Sequence, residues 1–168
     1  MPSPNMSGRN LSSPKVLDSR TTMRRTLAIL VTVVVVLLAL PASAAMVSIA
    51  ADKVNLRAGP GKNHPVLWEL GAGYPLRVLG RRGNWLKVKD FEGDVGWVHK
   101  KLTNKRPHLV VKKKIINIRS GPGTNYKIVA KAKRGVVFAT LKRKRNWVKI
   151  KHETGLVGWA RRDLLWGW

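Results

Sequence analysis

Between residue 45 and the C-terminus, the apolar residues fall into short alternating groups. Val54 and Leu56 flank Asn55, and Leu86 and Val88 alternate with Lys87 and Lys89. The same period of two returns at Ile116 and Ile118 around Asn117, and at Val148 and Ile150 around Lys149. Successive side chains of a strand point to opposite faces, so each pair is expected to face the core of a half-exposed strand. Trp85 and Trp147 are out of phase with these core positions, which leaves one face of each ring for solvent or ligand. Pro60-Gly61 and Pro122-Gly123 interrupt the pattern. Proline presets the first φ of a turn and glycine accepts a positive second φ, so a type II turn is predicted at each. No apolar stripe of helical period and useful length occurs in this part of the chain. The predicted class is all-β.

The N-terminal part reads differently. Met23-Arg24-Arg25 precedes an uncharged apolar run from Leu27 to Leu40, followed by the small residues Pro41-Ala42-Ser43-Ala44-Ala45. A basic start, a short apolar stretch and an A-x-A-like site in that order form an export signal, with cleavage predicted near Ala44 or Ala45. A permanent spanning helix needs about 20 apolar residues, so membrane contact is expected only during export. Residues 1–22 are rich in Ser, Pro and Asn and have no apolar periodicity. They are read as a disordered or mis-assigned extension, with Met23 as the true start and 23–44 as the signal peptide. The export predicts a periplasmic or secreted mature protein.

The remaining chain repeats itself. Asn55-Leu56-Arg57-Ala58-Gly59-Pro60-Gly61 returns 62 residues later as Asn117-Ile118-Arg119-Ser120-Gly121-Pro122-Gly123. The same offset carries Asn84-Trp85 to Asn146-Trp147 and Val95-Gly96-Trp97 to Val157-Gly158-Trp159, without a gap. Two small domains are predicted, 46–102 and 109–168, joined by a polar linker over 103–108. A unit of this size holds a core of marginal stability, so packing of one copy on the other is expected.

Charge then narrows the partners. The whole chain carries 33 Lys and Arg against 8 acids, a formal +25. From Ala45 onward 28 basic face 7 acidic side chains, so the excess belongs to the mature protein. It is also lopsided: residues 45–102 hold 10 basic and 5 acidic groups, residues 109–168 hold 16 and 2. Lys112-Lys113-Lys114 and Lys142-Arg143-Lys144-Arg145 are the dense runs. A field of this sign attracts anionic partners. Cysteine is absent, which removes disulfides, thiol catalysis and zinc–thiolate sites.

Three ordered motifs, each present twice, resemble the bacterial SH3 domain family. They are Asn55–Gly61 with Asn117–Gly123, Asn84–Val88 with Asn146–Ile150, and Gly93–Val98 with Gly155–Ala160. The resemblance spans nearly all of residues 46–168. It implies two tandem SH3-like small β-barrels, outside the cytoplasm, acting as binding or targeting modules for cell-wall peptides or other envelope components. Such modules are often attached to hydrolases.

The mature chain offers little for catalysis. Its serines are Ser48 and Ser120, neither in a G-x-S-x-G elbow. His64, His99, His108 and His152 do not recur at the repeat offset, and no pair has metal-ligand spacing. Asp90, Glu92 and Asp94 are read as a solvated hairpin tip. No catalytic residue, metal or cofactor is predicted. The candidate ligand-binding residues are Arg57, Asn84, Trp85, Trp97, Arg119, Tyr126, Asn146, Trp147 and Trp159. Trp offers an apolar body with a polar N–H, and Arg pairs with carboxylates bidentately. Arg57 and Arg119 have an equal alternative as structural arginines bonding turn carbonyls. Lys112, Lys113, Lys114, Lys142, Arg143, Lys144 and Arg145 form the candidate electrostatic patch.

The reading is an exported, non-enzymatic binder of a cell-envelope ligand, peptidoglycan or its peptides foremost, with the basic second domain docking anionic material. The alternatives are nucleic-acid or acidic-polymer binding by a basic barrel, and an accessory subunit of an envelope hydrolase or sensor.

Overall fold

A computed structural model describes residues 45–168; the export signal, its cleavage region before Ala45 and the extension over 1–22 lie outside the described residues. The first copy contributes β1 (Met46–Ile49), β2 (Val54–Arg57), β3 (Val66–Leu70), β4 (Pro75–Arg82), β5 (Trp85–Lys89), β6 (Val95–His99) and β7 (Thr103–Asn104). The second contributes β8 (His108–Val111), β9 (Ile115–Arg119), β10 (Ile128–Lys133), β11 (Val137–Lys144), β12 (Trp147–Lys151), β13 (Val157–Arg161) and β14 (Leu165–Gly167). Each set forms one antiparallel sheet, in the orders β3-β2-β6-β5-β4-β1-β7 and β10-β9-β13-β12-β11-β8-β14. The two orders are the same path traced twice. A single turn of 3-10 helix (Lys100–Leu102 and Arg162–Leu164) precedes the last strand of each.

Each sheet coils around its own core. In the first copy the core is Val47, Ile49, Val54, Leu56, Leu70, Leu76, Leu86, Val88 and Val98. Shifted by 62, these nine positions become Leu109, Val111, Ile116, Ile118, Ala132, Phe138, Val148, Ile150 and Ala160, all in the second core. Every alternating pair predicted to face inward does so. The volume changes between copies offset one another: Leu70 shrinks to Ala132 while Leu76 grows to Phe138. Cores accept such exchanges when total volume and pattern are kept.

Two local expectations are corrected. Gly61 and Gly123 do not have positive φ, so the Gly-Pro-Gly segments are not type II turns. The Gly61 N–H instead donates to the Gly59 carbonyl at 3.0 Å, and Gly123 to Gly121 at 3.0 Å. That bond closes a three-residue γ-turn on the central proline, whose ring-fixed φ suits it. The glycines are needed for space. A Cβ on Gly59 would sit 2.5 Å from the His64 ring, and one on Gly121 2.2 Å from the Tyr126 ring. The connection between copies is also shorter than the six residues expected. Thr103 and Asn104 pair with Ile49 and Ser48 as β7, and His108 begins β8, because both ends are drawn into sheet hydrogen bonds. Lys105, Arg106 and Pro107 remain between strands.

The two barrels pack together, as their small size demands. β14 pairs with β8 in its own barrel, and the chain end then reaches the other one. The Trp168 Nε1–H donates to Ser48 Oγ at 3.1 Å, and Ser48 Oγ donates to the Arg106 carbonyl at 2.7 Å. Arg134 pairs with Glu92 at 3.0 Å and lies 5.1 Å from the Phe91 ring centre. Arg77 stands 5.8 Å from the Trp166 ring. Ser48 is buried, so this serine serves the contact between barrels. Trp168→Ala is expected to cost about 2 kcal/mol, from lost apolar area and one hydrogen bond. Calorimetry should then resolve two unfolding transitions where the parent protein shows one; a single unshifted transition would deny Trp168 this role.

Candidate functional site

The γ-turns start the site. In each copy a flat ring, His64 or Tyr126, lies over the two glycines of the turn. The carbonyl of that same ring residue accepts from an arginine seven residues earlier in the chain. Arg57 Nη1 donates to His64 O at 2.8 Å, and Arg119 Nη1 donates to Tyr126 O at 2.7 Å. The arginine of the N-x-R motif thus fastens the loop that follows it. His64 and Tyr126 occupy the same position of the repeat as different residue types; their shared property is planarity.

In the first barrel this fastened loop borders a recess of about 490 Å³. Arg57, Lys62, Asn55, Trp85, His99 and Lys101 line it. Trp85 leads β5 with its ring half-buried, as its phase along the strand predicts. It meets the His99 ring edge to face, with centroids 5.3 Å apart. Arg57 and Trp85 therefore border one hollow.

In the second barrel the equivalent hollow is about 250 Å³, and a larger recess of about 700 Å³ adjoins it. Thr124, Trp147 and Arg161 are common to both. Lys112, Asn125, Asn146 and Arg162 line the larger, and Asn117 and Arg119 the smaller. Arg161 stands where the first copy has His99. It grips Asp163 with two bonds, Nε to Oδ1 at 3.0 Å and Nη2 to Oδ2 at 2.7 Å. Those bonds hold the Asp163 carboxyl below its usual range. Arg162 donates to the carbonyls of Leu165 and Gly167 at 3.0 and 2.9 Å. Burial, and then the charge of Arg143, pull its guanidinium below the ordinary value. Each hollow is cationic, with Lys53, Arg57, Lys62 and Lys101 against Asp52 in the first barrel and Lys112, Arg119, Arg161 and Arg162 against Asp163 in the second.

Other candidates do not enter these hollows in the same way. Asn84 is exposed on its hairpin, where its backbone carbonyl accepts from Lys100 N at 2.8 Å; the Asn146 carbonyl does the same for Arg162 N. Asn146 also lines the larger recess. Trp97 and Trp159 are half-buried on β6 and β13, in register with Arg57 and Arg119 respectively. They are not among the residues lining the recesses, and neither is Tyr126, whose ring covers its turn. Of the first basic run, Lys112 lines the second recess while Lys113 and Lys114 are exposed beside it in sequence. Lys142, Arg143 and Lys144 end β11, and Arg145 forms the tip of the hairpin to β12.

Asp90 is not the solvated tip that was expected. It is 7% exposed. Its Oδ1 accepts from the backbone N–H groups of Glu92, Gly93 and Asp94, each at 2.9 Å, and its Oδ2 accepts from the Tyr74 hydroxyl at 3.2 Å. Burial, then the Asp90 charge, drive the Tyr74 phenol well above its usual range, so it stays a neutral donor. The carboxylate organises a turn, and no described group of three or more His, Cys, Asp or Glu is arranged to hold a metal ion.

Two small antiparallel barrels with identical strand order, each with a tryptophan-walled hollow beside a Gly-Pro-Gly turn, define a tandem SH3-like protein. The chain belongs to the bacterial SH3 domain family, which matches residues 50–105 and again 112–167. A putative N-acetylmuramoyl-L-alanine amidase, YrvJ of Bacillus subtilis (strain 168), is 27% identical over 123 residues, covering 67% of this chain and 24% of the amidase. The chain thus spans about a quarter of that relative's length. Among solved structures, an NlpC/P60 family protein from Bacillus cereus aligns over 73% of this chain and 56% of its own, at 15% identity and a TM-score of 0.35. NlpC2 from Trichomonas vaginalis aligns over 72% and 47%, at 16% identity and a TM-score of 0.32.

Proposed function

We propose that this protein is an exported, non-enzymatic binder of the bacterial cell wall, with peptidoglycan peptides as its ligand. The observation that carries this reading is the duplicated hollow in which an arginine and a half-buried tryptophan face the same space. The tryptophan face supplies apolar contact and the unoccupied guanidinium donors supply a partner for a peptide carboxylate. A hollow of a few hundred Å³ suits a short peptide segment. The amidase relative supports a wall ligand, and the apolar run between Arg25 and the A-x-A site supports export.

The test is co-sedimentation of the protein, from Ala45 onward, with peptidoglycan sacculi, from low salt to about 0.5 M, where the Debye length falls below half its value at 0.1 M. Binding is expected to persist at high salt. Trp85→Ala and Trp147→Ala should each weaken it about tenfold, the usual cost of truncating an aromatic anchor. Binding abolished by modest salt and indifferent to both substitutions would overturn the wall-peptide reading.

A further inference from the structure

The two copies follow the same backbone path, so a position where one copy keeps glycine and the other carries a long cation is informative. Two such positions lie on one hairpin. In the first barrel the β4–β5 hairpin has Gly80 just after the bulged residue Leu79, and Gly83 at the tip with φ +57°. Their counterparts on the β11–β12 hairpin are Lys142, just after the bulged Leu141, and Arg145 with φ +50°. A Cβ at Gly80 or Gly83 would meet nothing within 4 Å, so side chains at these sites project into open space.

Both replacements work against folding. A left-handed φ is unfavourable for any residue with a Cβ and suits glycine. Lys142 pairs in register with Lys149, whereas Gly80 pairs with Lys87. Like charges directly opposite on neighbouring strands repel. All four residues from Lys142 to Arg145 are exposed, and their side chains have no hydrogen-bond or ion-pair partner among the described residues. The acids of residues 109–168 are Glu153 and Asp163, and Arg161 already holds Asp163. Nothing within the second barrel balances the tip.

The tip also continues into the hollow. Lys144 pairs in register with Trp147, and Asn146, the residue after Arg145, lines the recess with Trp147, Lys112 and Arg162. Cations therefore run from the recess to the hairpin tip. Lys142, Arg143 and Lys144 end β11 within about 7 Å at the usual rise per residue, on alternating faces, and Arg145 caps the turn. A wall peptide presents isolated carboxylates; cations this dense match an anion whose charges repeat along a chain. Guanidinium groups engage phosphate oxygens bidentately, and lysines serve them as point charges.

We propose that the β11–β12 hairpin tip and the adjoining Trp147 recess dock a linear phosphodiester polymer of the cell envelope. The inference rests on the wall-binding reading for the location of the ligand. It gives the second barrel a further ligand, beside the peptide assigned to both hollows.

The experiment compares the protein with a Lys142→Gly/Arg145→Gly double variant. That variant restores the residues the first barrel carries, so the hairpin is expected to fold, and circular dichroism checks it. The two proteins are titrated onto Bacillus subtilis cell walls with their phosphate polymers retained, and onto the same walls stripped by cold hydrofluoric acid. The parent should bind intact walls roughly tenfold more tightly than stripped walls, and the double variant should lose that preference while keeping its binding to stripped walls. Its log affinity against log salt should flatten by about two, near one per phosphate contact removed. Equal affinity of parent and variant for intact walls would overturn the proposal. So would binding to poly-glutamate as tight as to polyphosphate of equal charge, or a preference for single-stranded DNA over intact walls. Failure of the wall-binding reading shows elsewhere, as stripped walls left unbound by the parent.

Discussion

Asp90→Ala is expected to lower the unfolding free energy by about 3 kcal/mol, measured by urea denaturation. The carboxylate gathers three backbone N–H groups on one oxygen and the Tyr74 hydroxyl on the other. Hydrogen bonds to a charged group contribute more than neutral ones, and the cost of leaving their donors unpaired is larger still. Water reaches part of this turn, since Glu92, Gly93 and Asp94 are exposed, which keeps the figure below the sum of four such bonds. Asp90→Asn retains an acceptor for the backbone donors and should cost about half as much. The effect extends beyond one barrel. Phe91 and Glu92 sit on this turn and hold Arg134 of the second barrel. Loosening the turn should therefore also weaken the contact between barrels, seen as a broadened transition. An alanine variant within about 0.5 kcal/mol of the parent would show that the turn is held by its backbone alone.

The second copy fills the same role with different chemistry, and this explains why the sequence concealed it. His152 replaces Asp90, with its Nδ1 2.8 Å from Thr154 Oγ1 and 3.3 Å from the Thr154 N–H. The strand ends close with the same backbone bond, Asp90 N to Asp94 O and His152 N to Leu156 O. A comparison by residue type scores Asp against His as unrelated. What is kept is an acceptor at the first position of the turn, and only the folded path reveals it. Tyr74 adds to the concealment, because its hydroxyl arrives from sixteen residues earlier through the fold.

Features that depend on local period were legible. The alternation at Val54/Leu56, Leu86/Val88, Ile116/Ile118 and Val148/Ile150 located core strands, and the common offset of 62 located two copies of one fold. The half-exposed phase of Trp85 and Trp147 was legible for the same reason. Features set by approach across the fold were not. The γ-turn glycines looked like φ > 0 residues because sequence shows the absence of a Cβ and not the ring lying against it. The Leu165–Trp168 end closes its barrel through β14 and also reaches Ser48 of the other, a contact that no local pattern announces. Arginine as turn clamp and arginine as ligand donor were both open, and Arg57 does the first with one nitrogen while facing the recess.

The glycine of the repeated Val-Gly-Trp motif gives the second large effect. Gly158→Ala is expected to destabilise the protein by about 3 kcal/mol, at the upper end for overpacking a core. A Cβ there would lie 2.4 Å from Ile118 Cγ2 and 3.1 Å from the Arg119 carbonyl. Gly96 is in the same position in the first barrel, where a Cβ would meet Leu56 Cγ at 2.6 Å and the Arg57 carbonyl at 3.0 Å. In both cases the obstacle includes backbone of the neighbouring strand, so a rotamer change cannot relieve it. β13 meets β9 in register at Trp159 and Arg119, and β12 on its other side carries Trp147. Pushing β13 away from β9 separates Arg119 from Trp147, so wall binding should fall together with stability. Gly71→Ala is the control. No atom lies within 4 Å of its would-be Cβ, and its φ is not positive, so it should be neutral or slightly stabilising through the unfolded chain. If Gly158→Ala matched Gly71→Ala in thermal midpoint and in sacculus binding, close approach of β9 and β13 would not be what fixes this glycine. The tryptophan hollow would then owe its shape to the turn clamp alone.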